Sequence, residues 1–168
     1  MFLIIPYLRS VGKLNGGQAL DLGCGEGEIA TKLVENGYQV DAVDIKPQEI
    51  AGVNFIQGDI RDFKIKENFY DLIVARNVLP FLASRTEVEN MVAKMYASLK
   101  QGGIMYFTLF GTRDPLVQTR PDMTFIDDFA PPSELIFKSE SFGLGKVKTS
   151  GKYKIWHQYH FVVQKLNN

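Results

Sequence analysis

Residues 19–27, with the sequence ALDLGCGEG, constrain the fold of this chain more than any other segment. An apolar run leads into three glycines at alternate positions, and residues 28–35 follow with a helical pattern. Glycine has no Cβ and accepts positive φ, so it permits a tight turn that brings bare backbone close to a ligand. The N-terminus of the following helix adds free N–H donors and a positive partial charge. The segment therefore predicts a strand–loop–helix unit that holds a nucleotide-like molecule.

Acidic residues stand at the ends of the strands predicted around this loop. Asp21 lies inside the first strand end, and Asp44 closes the short second strand, 39–44. An acidic residue about 20 residues beyond a glycine loop can accept hydrogen bonds from both ribose hydroxyls. A third predicted strand, 53–60, carries Gly-Asp near its end, and a fourth covers 69–75. We expect these strands to finish at a common crevice.

The pattern D-x-G-x-G-x-G, from Asp21 to Gly27, resembles motif I of the class I S-adenosylmethionine-dependent methyltransferases. Two strand ends, at Asp44 and Asp59, lie at the spacing typical of this family. The fourth strand, 69–75, also lies at that spacing and is similar to motif IV. The resemblance implies an α/β fold, a doubly wound, mostly parallel seven-stranded sheet ending in an antiparallel hairpin. The resemblance covers nearly the whole chain. Within the family, the chain is similar to the members that act on small molecules, including the tellurite-resistance type.

The same resemblance implies the contacts of the cofactor, S-adenosylmethionine. An Asp at position 59 accepts a hydrogen bond from the adenine amino group, and its neighbour packs against the ring. Asp21 orients the loop, or the cofactor ammonium through water, while residues after the fourth strand face the methionine part. Cys24 fits a small residue packed under the loop, with no base nearby to make it a nucleophile. The predicted cofactor-binding residues are Asp21, Gly23, Cys24, Gly25, Asp44, Ile45, Asp59, Ile60 and Arg76.

The methyl acceptor is much harder to predict, because alignment of donor and acceptor supplies most of the catalysis in such transfers. The long loop 111–132 and the N-terminal helix are the predicted selectors, and either His157 or His160 is a candidate base near the acceptor. By the resemblance, Asn77 after the fourth strand faces the methionine part and the transferring methyl. The candidate substrate residues are therefore Asn77, Thr112, Arg113 and His157. His157 and His160 are three apart, so they face opposite sides of a strand, and we expect no metal site. The sequence VARNVLP at 74–80 replaces Asn/Asp-Pro-Pro-Tyr, which speaks against amino methylation of DNA bases.

Composition bounds the remaining possibilities. The 168 residues favour one domain, 1–168, and the zero formal net charge gives no bias toward nucleic acid. A lone cysteine, no basic region before the apolar residues 1–5, and no apolar run near about 18 residues favour a cytoplasmic protein without a membrane segment. We expect a monomer or a homodimer. Lysines near Tyr153 and Trp156 leave an RNA-binding surface as a weaker interpretation.

The secondary structure pattern alternates strands and helices before a terminal hairpin. Helices are predicted at 2–13, 26–36, 84–100 and 132–138, with Ser84 as an N-cap. Strands are predicted at 18–23, 39–44, 53–60, 69–75, 104–110, 145–149 and 153–165. The segment between strands two and three is too short for the helix expected in the family. One face of the sheet then needs cover from the N-terminal helix or from a second subunit.

The function predicted from the sequence is methyl transfer from S-adenosylmethionine to a small molecule through an O, N, S or oxyanion acceptor. A non-catalytic cofactor-binding or scaffold module and, less strongly, an RNA methyltransferase stay open. A nicotinamide oxidoreductase is disfavoured, because Glu28 occupies the third glycine position of the dinucleotide fingerprint.

Overall fold

The computed structural model describes residues 4–14, 16–123, 129, 135–147 and 150–166. Seven strands form one sheet: β1 (Gly17–Leu22), β2 (Tyr38–Asp44), β3 (Val53–Gln57), β4 (Tyr70–Ala75), β5 (Leu99–Phe110), β6 (Leu135–Lys146) and β7 (Tyr153–Gln164). The α-helices are α1 (Ile4–Ser10), α2 (Glu28–Glu35), α3 (Arg85–Ser98) and α4 (Pro115–Thr119), and two 3₁₀ turns cover Leu79–Phe81 and Pro121–Met123.

The strand order β3-β2-β1-β4-β5-β7-β6 gives the sheet its polarity. The first five strands of the chain pair in parallel, whereas β7 runs antiparallel between β5 and β6. This arrangement confirms the mostly parallel, doubly wound sheet with a terminal antiparallel hairpin. It also places the ends of β1, β2, β3 and β4 at one edge of the sheet, where open α/β folds bind ligands.

Apolar side chains cover both faces of the sheet. On one face, which we call the α2 face, α1 and α2 bury residues such as Leu8 and Leu33 against the strands. On the opposite α3 face, Met91 and Met95 belong to a cluster with the central strands. Ser84 caps α3, because its hydroxyl accepts a hydrogen bond from the Glu87 backbone N–H at 3.2 Å. The N-cap prediction is therefore confirmed.

Neither segment that flanks β3 contains a helix. Residues 45–52 run along the first turns of α2, and a Cβ on Gly27 would overlap the Ile50 side chain. On the α3 face, Phe63 and Ile65 from the β3–β4 connection pack against the core. The N-terminal helix does not take the place beside β3 that was predicted for it. Its Tyr7 ring stacks on Phe137 of β6, at the opposite side of the sheet, with centroids 6.4 Å apart.

The predicted helix at 132–138 is wrong where the structure describes it. Residues 135–138 begin β6, which pairs with β7 along its length; 132–134 lie outside the described residues. A short apolar run such as LIFK is compatible with helix or strand, and pairing with β7 decides it. Of the strand predicted at 145–149, residues 145 and 146 end β6, residue 147 follows the strand, and 148–149 lie outside the described residues. The predicted irregular loop 111–132 contains α4, whose N-cap is Asp114; residues 124–128 and 130–132 are not described.

Candidate functional site

A cleft of about 1020 Å³ opens at the carboxyl ends of the parallel strands. One part of its wall comes from the ends of β1 and β2 and from the segments that follow β1 to β4, as far as Arg76. The other part comes from Asn77, the first 3₁₀ turn and the β6–β7 hairpin. We call the first part the cofactor end and the second the acceptor end. The cofactor end includes Asp21, Gly23, Cys24, Gly25, Asp44, Ile45, Asp59, Ile60 and Arg76; the acceptor end includes Asn77, Phe81, Ser141, Trp156 and Gln158.

The glycine loop lines the cofactor end with backbone. The N–H groups of Gly23 and Cys24 donate to the Val43 carbonyl at 2.8 and 3.1 Å, which ties the loop to β2. Gly23 has φ 69°, and a Cβ there would overlap Val78. Gly25 also has positive φ, but nothing lies within 4 Å of the position its Cβ would take. The loop therefore needs glycine at position 23 to pack, and at position 25 it leaves bare backbone facing open space.

Asp44 fixes this loop while keeping its carboxylate at the cleft. One carboxylate oxygen accepts from the Gly25 N–H at 2.8 Å, and the other accepts from the Lys46 N–H at 3.0 Å. Each carboxylate oxygen has further acceptor capacity. The geometry is therefore compatible with hydrogen bonds from ribose hydroxyls, as predicted.

Asp21 is a buried carboxylate with an unsatisfied oxygen. Its residue is 1% exposed, and no described residue forms a hydrogen bond with its Oδ2. Burial raises the pKa of Asp21 to about 7, and the nearby Asp44 raises it further, against the lowering effects of the Ala30 N–H and the Arg76 guanidinium. Because an orphaned buried acceptor is costly, this group is suited to a cationic ligand.

Cys24 has no nucleophilic character in this setting. Burial raises the pKa of its thiol to about 12, and the negative charges of Asp21 and Asp44 act in the same direction. Its Sγ lies 3.7 Å from the Gly25 carbonyl oxygen. The thiol therefore stays protonated, in agreement with a packing role beneath the loop.

Asp59 lines the cleft, but Arg61 contacts its carboxylate. The Arg61 Nε and NH2 groups donate to the two Asp59 oxygens at 3.0 and 2.6 Å, and this pairing lowers the Asp59 pKa. The predicted hydrogen bond from adenine to Asp59 therefore requires adenine to share that carboxylate or to displace the guanidinium. The two predicted apolar neighbours differ in burial: Ile60 is buried, whereas Ile45 is 64% exposed.

Asn77 has a left-handed backbone with φ 57° at the junction of the two ends. Its N–H donates to the Thr108 hydroxyl at 2.8 Å, and its side-chain oxygen accepts from that hydroxyl at 3.2 Å and from Gln158 Nε2. A non-glycine residue in this conformation stores strain, which is typical of functional sites. The Thr108 and Gln158 side chains hold Asn77 beside Arg76, which also lines the cleft.

Thr112, Arg113 and His157 are not among the residues that line the cleft. His157 is 2% exposed; its Nε2 lies 2.7 Å from Glu140 Oε1, and its Nδ1 accepts from the Arg113 N–H at 3.0 Å. The Arg113 guanidinium contacts Glu140 at 2.7 Å and covers the Phe142 ring. These contacts join α4 to the hairpin. Their substrate role stays a prediction, as do the individual roles of the cofactor residues.

Sequence reasoning missed most of the acceptor end. Phe81 lies in the 3₁₀ turn, 61% exposed, with its ring edge-on to Phe110, and Trp156 contacts the same Phe110 ring. Trp156 and Gln158 alternate along β7 and both line the cleft. The two-residue period of a strand was the available signal. Ser141 was not predicted as a site residue, because residues 135–146 were not recognised as one strand.

Two absences hold within the described ranges. No group of three or more His, Cys, Asp or Glu side chains is placed to hold a metal ion there. Likewise, none of the helices seen in those ranges combines the length and the apolar character needed to cross a bilayer.

Comparisons with known proteins agree with this geometry. Residues 20–107, more than half of the chain, match the family model described as a methyltransferase domain. The chain is 27% identical over 118 residues to the malonyl-[acyl-carrier protein] O-methyltransferase of Enterobacter lignolyticus, covering 66% of this chain and 45% of that protein. It spans about half the length of the curated relatives it matches.

Solved structures show the same fold. The N-methyltransferase NodS from Bradyrhizobium japonicum superposes with a TM-score of 0.67 at 17% identity, over 98% of this chain and 97% of that one. TehB from Haemophilus influenzae gives 0.69 at 20% identity, over 96% and 61%. The fold and the site thus define a Rossmann-like methyltransferase domain. The chain belongs to the class I S-adenosylmethionine-dependent methyltransferases, and S-adenosylmethionine is its cofactor.

Proposed function

We propose that this chain catalyses methyl transfer from S-adenosylmethionine to a small-molecule acceptor by in-line displacement. The observation that carries the proposal is the unpartnered oxygen of Asp21, buried at the cofactor end of the cleft. A cationic ammonium satisfies such an oxygen, and Asp44 accepts from hydroxyls one strand away. The bound cofactor supplies a methyl group already activated by its sulfonium.

The residues of the chain then act by positioning. Gly25 leaves room for close approach of the cofactor, while Asn77 stands between the two ends of the cleft. Holding donor and acceptor in line is worth about 7–11 kcal/mol of the barrier in well-oriented reactions. No nucleophilic side chain is required, which agrees with the high pKa of Cys24.

A small acceptor is supported by the shape and charge of the acceptor end. Phe81, Trp156 and Gln158 face one cleft shared with the cofactor residues, as expected for a compact ligand rather than a polymer. Of the hairpin lysines, Lys154 forms an ion pair with the buried Asp114 at 3.0 Å and covers the Trp156 ring, whereas Lys146 lines the cleft. Lys154 is therefore engaged in packing, which removes one of the lysines that favoured an RNA surface.

Calorimetry with S-adenosylhomocysteine tests the cofactor half of the proposal. Asp44→Ala should weaken binding at least about tenfold, or about 1.4 kcal/mol, because it removes both the loop anchor and the ribose acceptor. Asp62→Ala is the matched control on an exposed carboxylate and should bind like the wild type. NADH should not bind. Equal affinity in Asp44→Ala and wild type would remove Asp44 from the site.

Methyl transfer to a panel of phenols, thiols, amines and carboxylic acids tests the catalytic half. The relative named for O-methylation and the structural neighbour named for N-methylation show that both acceptor atoms belong in the panel. Cofactor binding without transfer to any acceptor would contradict catalysis and favour a cofactor-binding module. The cytoplasmic location and the monomeric or dimeric state stay predictions.

A further inference from the structure

Three polar side chains form a hydrogen-bonded series across the α2 face of the sheet. The Tyr106 hydroxyl on β5 lies 2.9 Å from Nδ1 of His160 on β7. The opposite ring nitrogen, Nε2, lies 2.8 Å from the Ser141 hydroxyl on β6. The Tyr106 and His160 rings are stacked at 16° with centroids 6.1 Å apart, so both the ring plane and the two nitrogens of His160 are fixed.

This series of hydrogen-bonded side chains is buried at its Tyr106 end and reaches the cleft at its Ser141 end. Tyr106 is buried and His160 is only 6% exposed, whereas Ser141 lines the acceptor end of the cleft. Several neighbours on this face are apolar, namely Val74, Ile104 and Val162, and the buried Thr108 opposite His160 bonds Asn77 instead. Replacing a buried polar pair with apolar groups of similar shape is nearly neutral for stability. The stability of the fold therefore does not by itself require a series of hydrogen-bonded side chains that leads to the cleft.

The electrostatic setting keeps His160 neutral. Burial lowers the pKa of His160 to about 4, and the positive charge of Arg76 acts in the same direction. Burial also raises the pKa of Tyr106 to about 12, so its hydroxyl stays protonated. At neutral pH the imidazole thus has one nitrogen free to accept a proton. An oxygen that has just received a methyl group, while still holding its own proton, is a far stronger acid than this imidazolium.

We propose that Ser141, His160 and Tyr106 form a relay that removes the proton of a hydroxyl-bearing acceptor as it is methylated. The acceptor oxygen bonds to the methyl carbon, the carbon–sulfur bond breaks, and its electron pair stays on sulfur. The proton of the acceptor passes to the Ser141 hydroxyl, and the Ser141 proton passes to His160 Nε2. His160 is then protonated on both nitrogens, its Nδ1–H donates a hydrogen bond to the Tyr106 oxygen, and after product leaves the Nε2 proton returns through Ser141 to solvent.

The walls beside Ser141 narrow the acceptor to a hydroxyl on an aromatic ring. Phe81 and Trp156 line the same end of the cleft, and both rings contact Phe110 edge-on with centroids 5.8 Å apart. Aromatic side chains bind flat rings by stacking or edge contacts. A phenol held by these rings places its hydroxyl within the end of the cleft that Ser141 lines. This inference rests on the proposed function, and its test has to separate the two.

The test compares Ser141→Ala with Ser139→Ala. Ser139 lies on the same face of β6, directly opposite His160 in the β6–β7 register, so it controls for a change in the strand. The first readout is calorimetric binding of S-adenosylhomocysteine, which should be the same in both variants and in the wild type. Failure of the wild type to bind it would overturn the proposed function, independently of the relay.

The second readout is the binding of 4-nitrophenol to the S-adenosylhomocysteine complex, followed by the absorbance of its phenolate. The wild type and Ser139→Ala should bind this phenol equally, and Ser141→Ala should bind it at least about fivefold more weakly. Tyr106→Phe keeps the cleft end intact and should shift the apparent pKa of the bound phenol without removing binding. Equal affinities and equal pKa values in all proteins would overturn the relay.

The third readout is the pH dependence of transfer to the phenols of the panel. In the wild type the relay removes the proton, so kcat should change little from about pH 6 to about pH 9. In Ser141→Ala and His160→Gln, kcat should fall at least about tenfold near neutrality and rise with pH as the acceptor ionises by itself, with unchanged KM for the cofactor. Transfer to thiols or amines but to no phenol would overturn the relay, and so would an unchanged pH profile in Ser141→Ala.

Discussion

Replacing Asp21 with Asn should stabilise the fold while it damages the cofactor site. The carboxyl has an ordinary pKa of 3.8 and a folded-state pKa of about 7, chiefly because it is buried. Each pKa unit corresponds to about 1.4 kcal/mol, so the ionised group costs the folded state about 4 kcal/mol at pH 8. Asparagine has nearly the same shape and carries no charge.

The pH dependence gives this prediction its sign. A carboxyl with a raised pKa in the folded chain binds its proton more tightly there than in the unfolded chain. Stability is therefore lost as pH rises from about 4 to about 7, and the advantage of Asp21→Asn grows over the same window. We expect an advantage of about 4 kcal/mol at pH 8, about 2 kcal/mol at pH 5 and almost none at pH 3.

Urea unfolding of wild type and Asp21→Asn at these three pH values measures the difference. Asp62→Asn, on an exposed carboxylate, should show no such trend. Calorimetry on the same proteins should show S-adenosylmethionine affinity at pH 8 reduced at least about tenfold in Asp21→Asn. A variant that is no more stable than the wild type at pH 8, or an advantage independent of pH, would refute the argument from a buried unpaired charge.

Four other substitutions test separate parts of the account. Gly23→Ala should lower the free energy of unfolding, because its Cβ overlaps Val78. Gly25→Ala has open space around its Cβ, so it should cost only about 1–2 kcal/mol for its positive φ and yet weaken cofactor binding. Unfolding curves measure the stability of the two variants, and calorimetry measures their cofactor affinity. Arg61→Ala should raise the affinity for S-adenosylhomocysteine, by less than about fivefold, if the guanidinium competes with adenine for Asp59, and a lower affinity would show that it assists binding instead. Ser84→Ala should cost about 1 kcal/mol through loss of the α3 cap, measured by thermal unfolding, and no change would contradict the capping interaction.

The cofactor end was predictable from sequence because short-range patterns specify it. Glycines at a strand-to-helix turn need their special backbone conformations wherever they occur, and Asp44 follows at a fixed spacing along the chain. The acceptor end is assembled from Asn77, the first 3₁₀ turn and the β6–β7 hairpin, and the hairpin is far from the other two in the sequence. The Tyr106–His160 contact joins residues 54 positions apart, and only strand pairing brings them together.

The errors have the same origin. The helix predicted over 132–138 followed local composition, whereas tertiary pairing with β7 makes residues 135–138 part of a strand. The Asp59 interpretation fixed the position of a carboxylate but did not foresee that Arg61, two residues later, contacts both of its oxygens. Side-chain partners on a surface depend on rotamers that a motif does not encode.

A crystal structure of the chain with S-adenosylhomocysteine tests the central claim most directly. The account predicts the ribose hydroxyls on Asp44, the amino group satisfying the free oxygen of Asp21 directly or through one water, and the sulfur directed toward the end lined by Asn77 and Ser141. A ligand found elsewhere, or one that leaves Asp21 Oδ2 still without a partner, would contradict it.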